Sequence, residues 1–210
     1  MLNNVFPFEK SCAFCNSKKI YKYGICEECY DNLNMDISFH KNLNYVDEII
    51  IGCEYNDFLK DKIRRFKFKD ETHLYKFFGE MLIDLIFKND IHRNYKVVTS
   101  VPMHKKSLKK RGYNQSELMA KYISENTLIP YCDLLEKVLE TKDQVGLDFL
   151  ERGENLKGAF RCAGNLRDKR IIIVDDIITT GSTVDELGKL LKEKGAKKVA
   201  ALIVATRQFL

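Results

Sequence analysis

The chain has 210 residues, 45% hydrophobic and 31% charged with a formal net charge of +5, which fits one globular α/β domain with a small appendage and permits a polyanionic partner without demanding one. No apolar run approaches membrane-spanning length and Met1-Leu2-Asn3-Asn4 lacks the basic-then-apolar plan of a secretory signal, so no membrane insertion and a cytoplasmic location are expected. Seven cysteines, an odd number, argue against a disulfide framework and for metal binding in a reducing compartment.

The first pattern along the chain is a pair of C-x₂-C knuckles, Cys12-Ala13-Phe14-Cys15 and Cys26-Glu27-Glu28-Cys29, ten residues apart. Four thiolates at this spacing suit a tetrahedral Zn²⁺, and a closed four-sulfur shell predicts a structural metal. A redox C-x-x-C would not come as a pair, and iron–sulfur ligands usually follow other spacings. A segment this short cannot bury a core of its own, so bound metal would stabilise it, with Phe14, Ile20, Tyr21, Tyr23 and Tyr30 as apolar cover. Cys53, Cys132 and Cys162 stand alone and read as buried thiols.

Asn32 to Asn44 reads as a linker or short helix, which divides the chain into a metal segment with its linker (1–42) and a main domain (43–210). Val46 to Tyr55 reads as a strand. In Phe58 to Lys69, Leu59, Ile63 and Phe66 share one helical face, and Lys60, Lys62, Arg64, Arg65, Lys67 and Lys69 surround it. That helix is either an ordinary solvated amphipath or a basic surface for phosphate or nucleic acid, with Phe66 and Phe68 as stacking groups. Leu74 to Phe87 is apolar at helical spacing and should pack on a sheet. The histidines at 40, 73, 92 and 104 share no ligand spacing, and most read as surface residues.

Lys96 to Val101 predicts a second strand, ended by Pro102. The cations Lys105, Lys106, Lys109, Lys110 and Arg111 follow in a loop between this strand and a helix from Ser116 to Ser124. Their density makes them a candidate pyrophosphate clamp, and the unusual Arg111-Gly112-Tyr113-Asn114-Gln115 beside them favours that over a solvated loop. Cys132 to Val138 reads as short strand or helix. Thr141 to Leu147 and Glu151 to Phe160 read as loop and hairpin.

The run Ile171-Ile172-Ile173-Val174 predicts a strand buried on both faces, as inside a parallel sheet. Asp175 and Asp176 sit where it would emerge, followed by Ile177, Ile178 and then Thr179-Thr180-Gly181-Ser182-Thr183. A helix should run from there to Lys194, with Ser182 or Thr183 as N-cap and Gly195 as stop, before a last strand from Lys198 to Ala205. Backbone N–H groups of such a turn and the helix dipole can take a phosphate. The carboxylates can accept hydrogen bonds from the vicinal hydroxyls of a ribose. A purely structural turn has no need of that many hydroxyls.

The stretch from Ile171 to Thr183 closely resembles the phosphoribosyl-pyrophosphate (PRPP) signature of type I phosphoribosyltransferases. The chain as a whole resembles the ComF family of late-competence proteins. The blocks that carry this are the paired knuckles, Phe66-Lys67-Phe68, and Val101-Pro102-Met103-His104 leading to Arg111-Gly112-Tyr113-Asn114-Gln115. Thr141 with Gln144 and Leu147, Arg152 with Asn155, and Gly158-Ala159-Phe160 complete the set. Ser107 stands where the family usually has a basic residue, and Lys137 where Arg is common.

The resemblance implies a type I phosphoribosyltransferase-like fold, a mainly parallel sheet with helices on both faces, preceded by a four-cysteine zinc finger. It implies that Asp175 and Asp176 hold the ribose hydroxyls of PRPP directly or through Mg²⁺, while Thr179, Thr180, Gly181, Ser182 and Thr183 wrap the 5′-phosphate. Lys67, Lys105, Lys106, Lys109 and Arg111 would contact pyrophosphate or DNA phosphates. The implied setting is natural transformation, with single-stranded DNA, a competence helicase and DNA-processing proteins as partners. The competing reading is a metabolic phosphoribosyltransferase that moves phosphoribose from PRPP to a base or amine. Purine-specific relatives usually carry more sequence after the last strand than the few residues ending at Leu210, which favours the competence reading. A regulatory module that kept the fold without the chemistry is a third possibility.

Overall fold

The computed structural model of the chain describes residues 11–35, 43–140, 156 and 158–207. Its centre is a four-stranded parallel sheet in the order β1-β6-β5-β2, built from β1 (Glu48–Glu54), β2 (Val97–Ser100), β5 (Arg170–Ile178) and β6 (Lys198–Thr206). The run Ile171 to Val174 forms the buried heart of β5, as its β-branched composition predicts. Side chains alternate across the sheet. Ile172, Val174, Ala200, Leu202 and Val204 enter one core, while Ile171, Ile173, Val199, Ala201 and Ile203 enter the other.

Helices close both cores. On the first face lie α2 (Asp57–Phe68), α3 (Leu74–Lys88) and α6 (Gln115–Asn126). The second face is covered by α7 (Ser182–Glu193) through Val184, Leu187 and Leu191. The buried stripe of α2 is Leu59, Ile63 and Phe66, the face its spacing predicts. Asn56 starts this helix by accepting the Leu59 N–H at 2.9 Å. A short α4 (Ile91–Asn94) leads into β2.

The knuckle segment, which contains α1 (Glu27–Asp31), belongs to the first core. Phe14 meets Phe77 of α3 and Phe58 of α2 edge-on, with ring centroids at 4.6 and 5.8 Å. Tyr23 donates a 2.5 Å hydrogen bond to Asp84 of α3, and Lys22 pairs with the same carboxylate at 3.1 Å.

Three local expectations need correction. The cationic stretch after β2 is a helix, α5 (Lys105–Arg111), with no buried residue of its own. It is capped by His104 at one end and by Gly112, at φ +86°, at the other. The cap of α7 is Gly181 in the left-handed conformation, not Ser182 or Thr183. Of the isolated thiols, Cys53 is buried as predicted, whereas Cys132 and Cys162 are only half-buried.

Cys132 to Val138, expected as strand or helix, contains β3 (Leu135–Lys137), which pairs antiparallel with β4 (Phe160–Cys162), begun at the end of the stretch expected as loop and hairpin, in a separate sheet. The family blocks at Thr141, Gln144, Leu147, Arg152 and Asn155, and His40, lie outside the described residues. His73 is exposed, while His92 and His104 are half-buried. Among the described residues no helix is long and apolar enough to cross a membrane.

Candidate functional site

Parallel pairing aligns Ser100, the last residue of β2, with Val174 of β5. The carboxylates therefore come just beyond β2, at the C-terminal edge of the sheet. Open α/β sheets bind ligands at that edge. Asp176 is 4% exposed. Its Oδ2 lies 2.6 Å from Lys67 Nζ at the end of α2, and it accepts a 3.3 Å hydrogen bond from Gln115 Nε2 at the start of α6. Asp175 Oδ1 accepts from Ser116 Oγ at 2.8 Å. Arg111 joins indirectly, donating to Gln115 Oε1 at 2.6 Å.

Burial pushes the Asp175 carboxyl up, and the neighbouring Asp176 charge pushes it further, to about 7. Lys67 and Ser116 offset part of that rise. Two carboxylates side by side in little water are costly, and one lysine relieves them only in part. The arrangement is a place prepared for additional cationic or hydroxyl donors.

The turn after β5 supplies the second half of the site. Gly181 has φ +82°, a backbone conformation that favours glycine, and a Cβ there would displace the Leu43 side chain, whose Cδ2 would lie 2.7 Å away. Thr180 Oγ1 and Ser182 Oγ lie 2.9 Å apart. The first N–H groups of α7 have no acceptor within the helix and point toward this turn. Asp175 and residues 179–184 line a depression of ≈ 50 Å³ here. Asp175 and the hydroxyl turn thus face one small space.

The predicted cations divide between two places. Lys67 reaches the acidic pair directly, and Arg111 only through Gln115. Lys105 and Lys106 turn toward the β3–β4 hairpin region instead, pairing with Glu136 at 3.0 Å and Glu140 at 2.7 Å. Lys109 is exposed on α5. On α2, Lys60, Lys62, Arg64 and Arg65 are ion-paired locally with Asp57, Asp61 and Glu71, so little of its cationic charge is unopposed. Phe66 is fully buried between Phe78 and Tyr113 and is not a stacking group for any ligand. Phe68 is exposed.

Gln115 and Ser116 are not among the predicted site residues, although the Arg111–Gln115 block stands out in the sequence. The structure accounts for each residue in it. Gly112 turns the chain between helices, the Tyr113 hydroxyl donates to the Phe66 carbonyl, and Asn114 caps α6 while its Nδ2 donates to Val101 O at 3.0 Å. Beside this block a cavity of ≈ 530 Å³ lies between the end of β2, α5 and the β3–β4 pair, with Ser100, Asn114, Glu117, Glu136 and Arg161 in its lining.

The four knuckle thiols come together as predicted. The Sγ atoms of Cys12, Cys15, Cys26 and Cys29 all lie within 4.8 Å of one another, with Cys15 exposed and the rest buried. That spacing suits one tetrahedral ion with sulfur ligands at ~2.3 Å. The Phe14 N–H donates to Cys12 Sγ at 3.4 Å. Burial raises the Cys12 thiol, but backbone N–H groups of Cys26, Phe14 and Cys15 outweigh it and hold the thiol at about 7. Donor set and amide shell fit a structural metal such as zinc.

The phosphoribosyl transferase domain family model matches residues 85–208. Competence protein F of Haemophilus influenzae is 30% identical over 203 residues, 92% of this chain and 82% of that protein. Competence protein ComFC of Streptococcus pneumoniae is 33% identical over 148 residues, 69% of this chain and 62% of its own length. DNA utilization protein YhgH of Escherichia coli is 36% identical over 105 residues, 49% of this chain and 45% of its own. Among solved structures, phosphoribosylpyrophosphate synthetase from Mycobacterium smegmatis aligns with a TM-score of 0.40 at 19% identity, over 61% of this chain and 33% of that one.

Proposed function

The chain belongs to the ComF family of competence proteins with a phosphoribosyl transferase domain, and from that premise we propose that it binds PRPP or a related ribose phosphate while serving DNA uptake in the cytoplasm. The observation that carries this reading is the convergence of Lys67, Gln115 and Ser116 on Asp175 and Asp176, next to the Thr179–Thr183 turn. Asp175 and Asp176 accept the vicinal ribose hydroxyls. The turn and the N–H groups of α7 hold the 5′-phosphate. Lys67 and Arg111 lie nearest to the charge of a pyrophosphate arm, while Lys105 and Lys106 of α5 are engaged by Glu136 and Glu140 and Lys109 is exposed.

Mg²⁺ bound with PRPP would supply positive charge against the leaving pyrophosphate and against the acidic pair. Asp175 and Asp176 are the residues that would face it, and the raised Asp175 carboxyl suits an incoming cation. Zinc in the four-thiolate cluster is structural, since four protein ligands leave no open position. Single-stranded DNA, a competence helicase and DNA-processing proteins are the partners this role requires.

Titration calorimetry with PRPP and Mg²⁺ tests the site. We expect measurable heat with the wild type and none with the folded Asp175→Asn, Asp176→Asn double variant. Equal binding by both would remove the assignment.

One observation favours a second reading, in which the site also turns PRPP over. The ≈ 530 Å³ cavity beside Ser100 and Asn114 is large enough for an acceptor base or amine. There the acceptor nitrogen would bond to ribose C1 as the C1–O bond to pyrophosphate breaks, its proton passing to solvent or to the departing pyrophosphate, whose charge nearby cations would meet. Pyrophosphate release across a panel of bases and amines distinguishes turnover from binding alone.

A further inference from the structure

We propose that the groove between the end of α2 and α5 takes single-stranded nucleic acid, and that Phe68 is the platform on which one base stacks. The inference rests on the DNA-uptake reading above and adds to it the surface and the mode of contact. Phe68 is 69% exposed, the most exposed phenylalanine among the described residues. Its neighbour two residues back, Phe66, is fully buried against Phe78 and Tyr113, so the helix end that presents Phe68 is firmly seated. Residues two apart on a helix face different ways, which turns one ring inward and the other out. The Arg111 guanidinium lies over the Phe68 ring at 4.8 Å from its centroid. A cation–π pair of this kind holds the ring in place and offers a flat cationic surface beside it.

The space around this pair is a groove of ≈ 650 Å³. Lys67, Lys106, Lys110 and Arg111 line it, opposed by the two carboxylates of Asp70 and Glu140. Glu140 engages Lys106 at 2.7 Å, whereas Lys110 is exposed and has no ion-pair partner among the described residues. The surface therefore combines net positive charge with one solvent-facing aromatic ring. Phosphates supply the complement to the first, and an unstacked base supplies the complement to the second. A base inside a duplex already has both faces covered, so this combination selects single strands. Lys67 lines the groove and also touches Asp176, which puts the groove mouth beside the proposed ribose-phosphate site.

Fluorescence anisotropy with a short labelled oligothymidylate, at two salt concentrations, tests the platform in the full chain. Phe68→Ala is expected to weaken binding about tenfold without changing the salt dependence, because it removes stacking and no charge. Phe68→Trp should retain affinity, and Lys110→Gln should flatten the salt dependence. An abasic strand of equal length keeps the phosphates without the bases, and on it wild type and Phe68→Ala should bind alike. Unchanged oligothymidylate binding by Phe68→Ala, an equal loss on the abasic strand, or equal competition by a blunt duplex would each overturn the proposal. If the wild type bound no single strand, the DNA-uptake reading would fall with it, while the PRPP calorimetry would stand independently.

Discussion

Replacing Asp175 by Asn should make the ligand-free protein more stable, although it destroys a site residue. The Asp175 carboxyl is held at about 7 by burial and by the charge of Asp176. In the unfolded chain an Asp ionises near ~3.9. The folded state therefore keeps the proton more tightly, and stability falls as pH rises through the window between those values. Above it the penalty is constant. At ~1.4 kcal/mol per unit the gap amounts to roughly 4 kcal/mol as an upper bound. Ser116 can still donate to an Asn Oδ1, so its 2.8 Å hydrogen bond need not be lost. Recovering even half, about 2 kcal/mol, would raise Tm by roughly 4–8 °C for a chain of this size. Thermal melts of both proteins at pH 8 and pH 5 provide the assay. The gain should be largest at pH 8 and shrink to about a third at pH 5, where less of the penalty has developed. A variant that melts at or below the wild type at pH 8, or a gain independent of pH, would refute the electrostatic account of the pair.

Stripping metal from the knuckles should destabilise the whole domain and not only its first residues, because Phe14 is packed between α2 and α3. Losing that aromatic anchor costs about 3 kcal/mol, or roughly 6–12 °C in Tm. Metal analysis should find one zinc per chain, and a chelated protein melting at the untreated temperature would contradict the linkage. Gly181→Ala should lower stability by roughly 1–3 kcal/mol through its left-handed backbone and should weaken phosphate binding. A denaturant titration with an unchanged midpoint would show that the turn tolerates a side chain.

Much of this site can be read in the sequence because its signals are local. Four consecutive β-branched residues specify a buried strand, and the carboxylates and hydroxyls follow it within a few positions. The same holds for the knuckles, whose spacing alone brings four sulfurs together. Helix α5 is harder to see because none of its residues is buried, so no apolar period marks it. Lysine, leucine and arginine nonetheless favour helix, and His104 and Gly112 define its ends. The face of Phe66 is legible from its spacing with Leu59 and Ile63, and that pattern is itself an argument against a stacking role. Gln115 and Ser116 reach carboxylates 61 and 59 residues away, a relation that exists only once the sheet has formed. The Lys67–Asp176 pair is long-range in the same way. A cap formed by Gly181 instead of a hydroxyl likewise reflects backbone conformation, which residue preference for caps does not anticipate.

The central claim is that a ribose phosphate sits between the acidic pair and the turn before α7. Backbone amide NMR during titration with ribose 5-phosphate tests it most directly. The account predicts saturable shifts concentrated at Thr180 to Val184 and at Asp175 and Asp176, with the amides of the cysteine knuckles unmoved. Saturable shifts confined to other surfaces, with residues 175–184 silent, would contradict it.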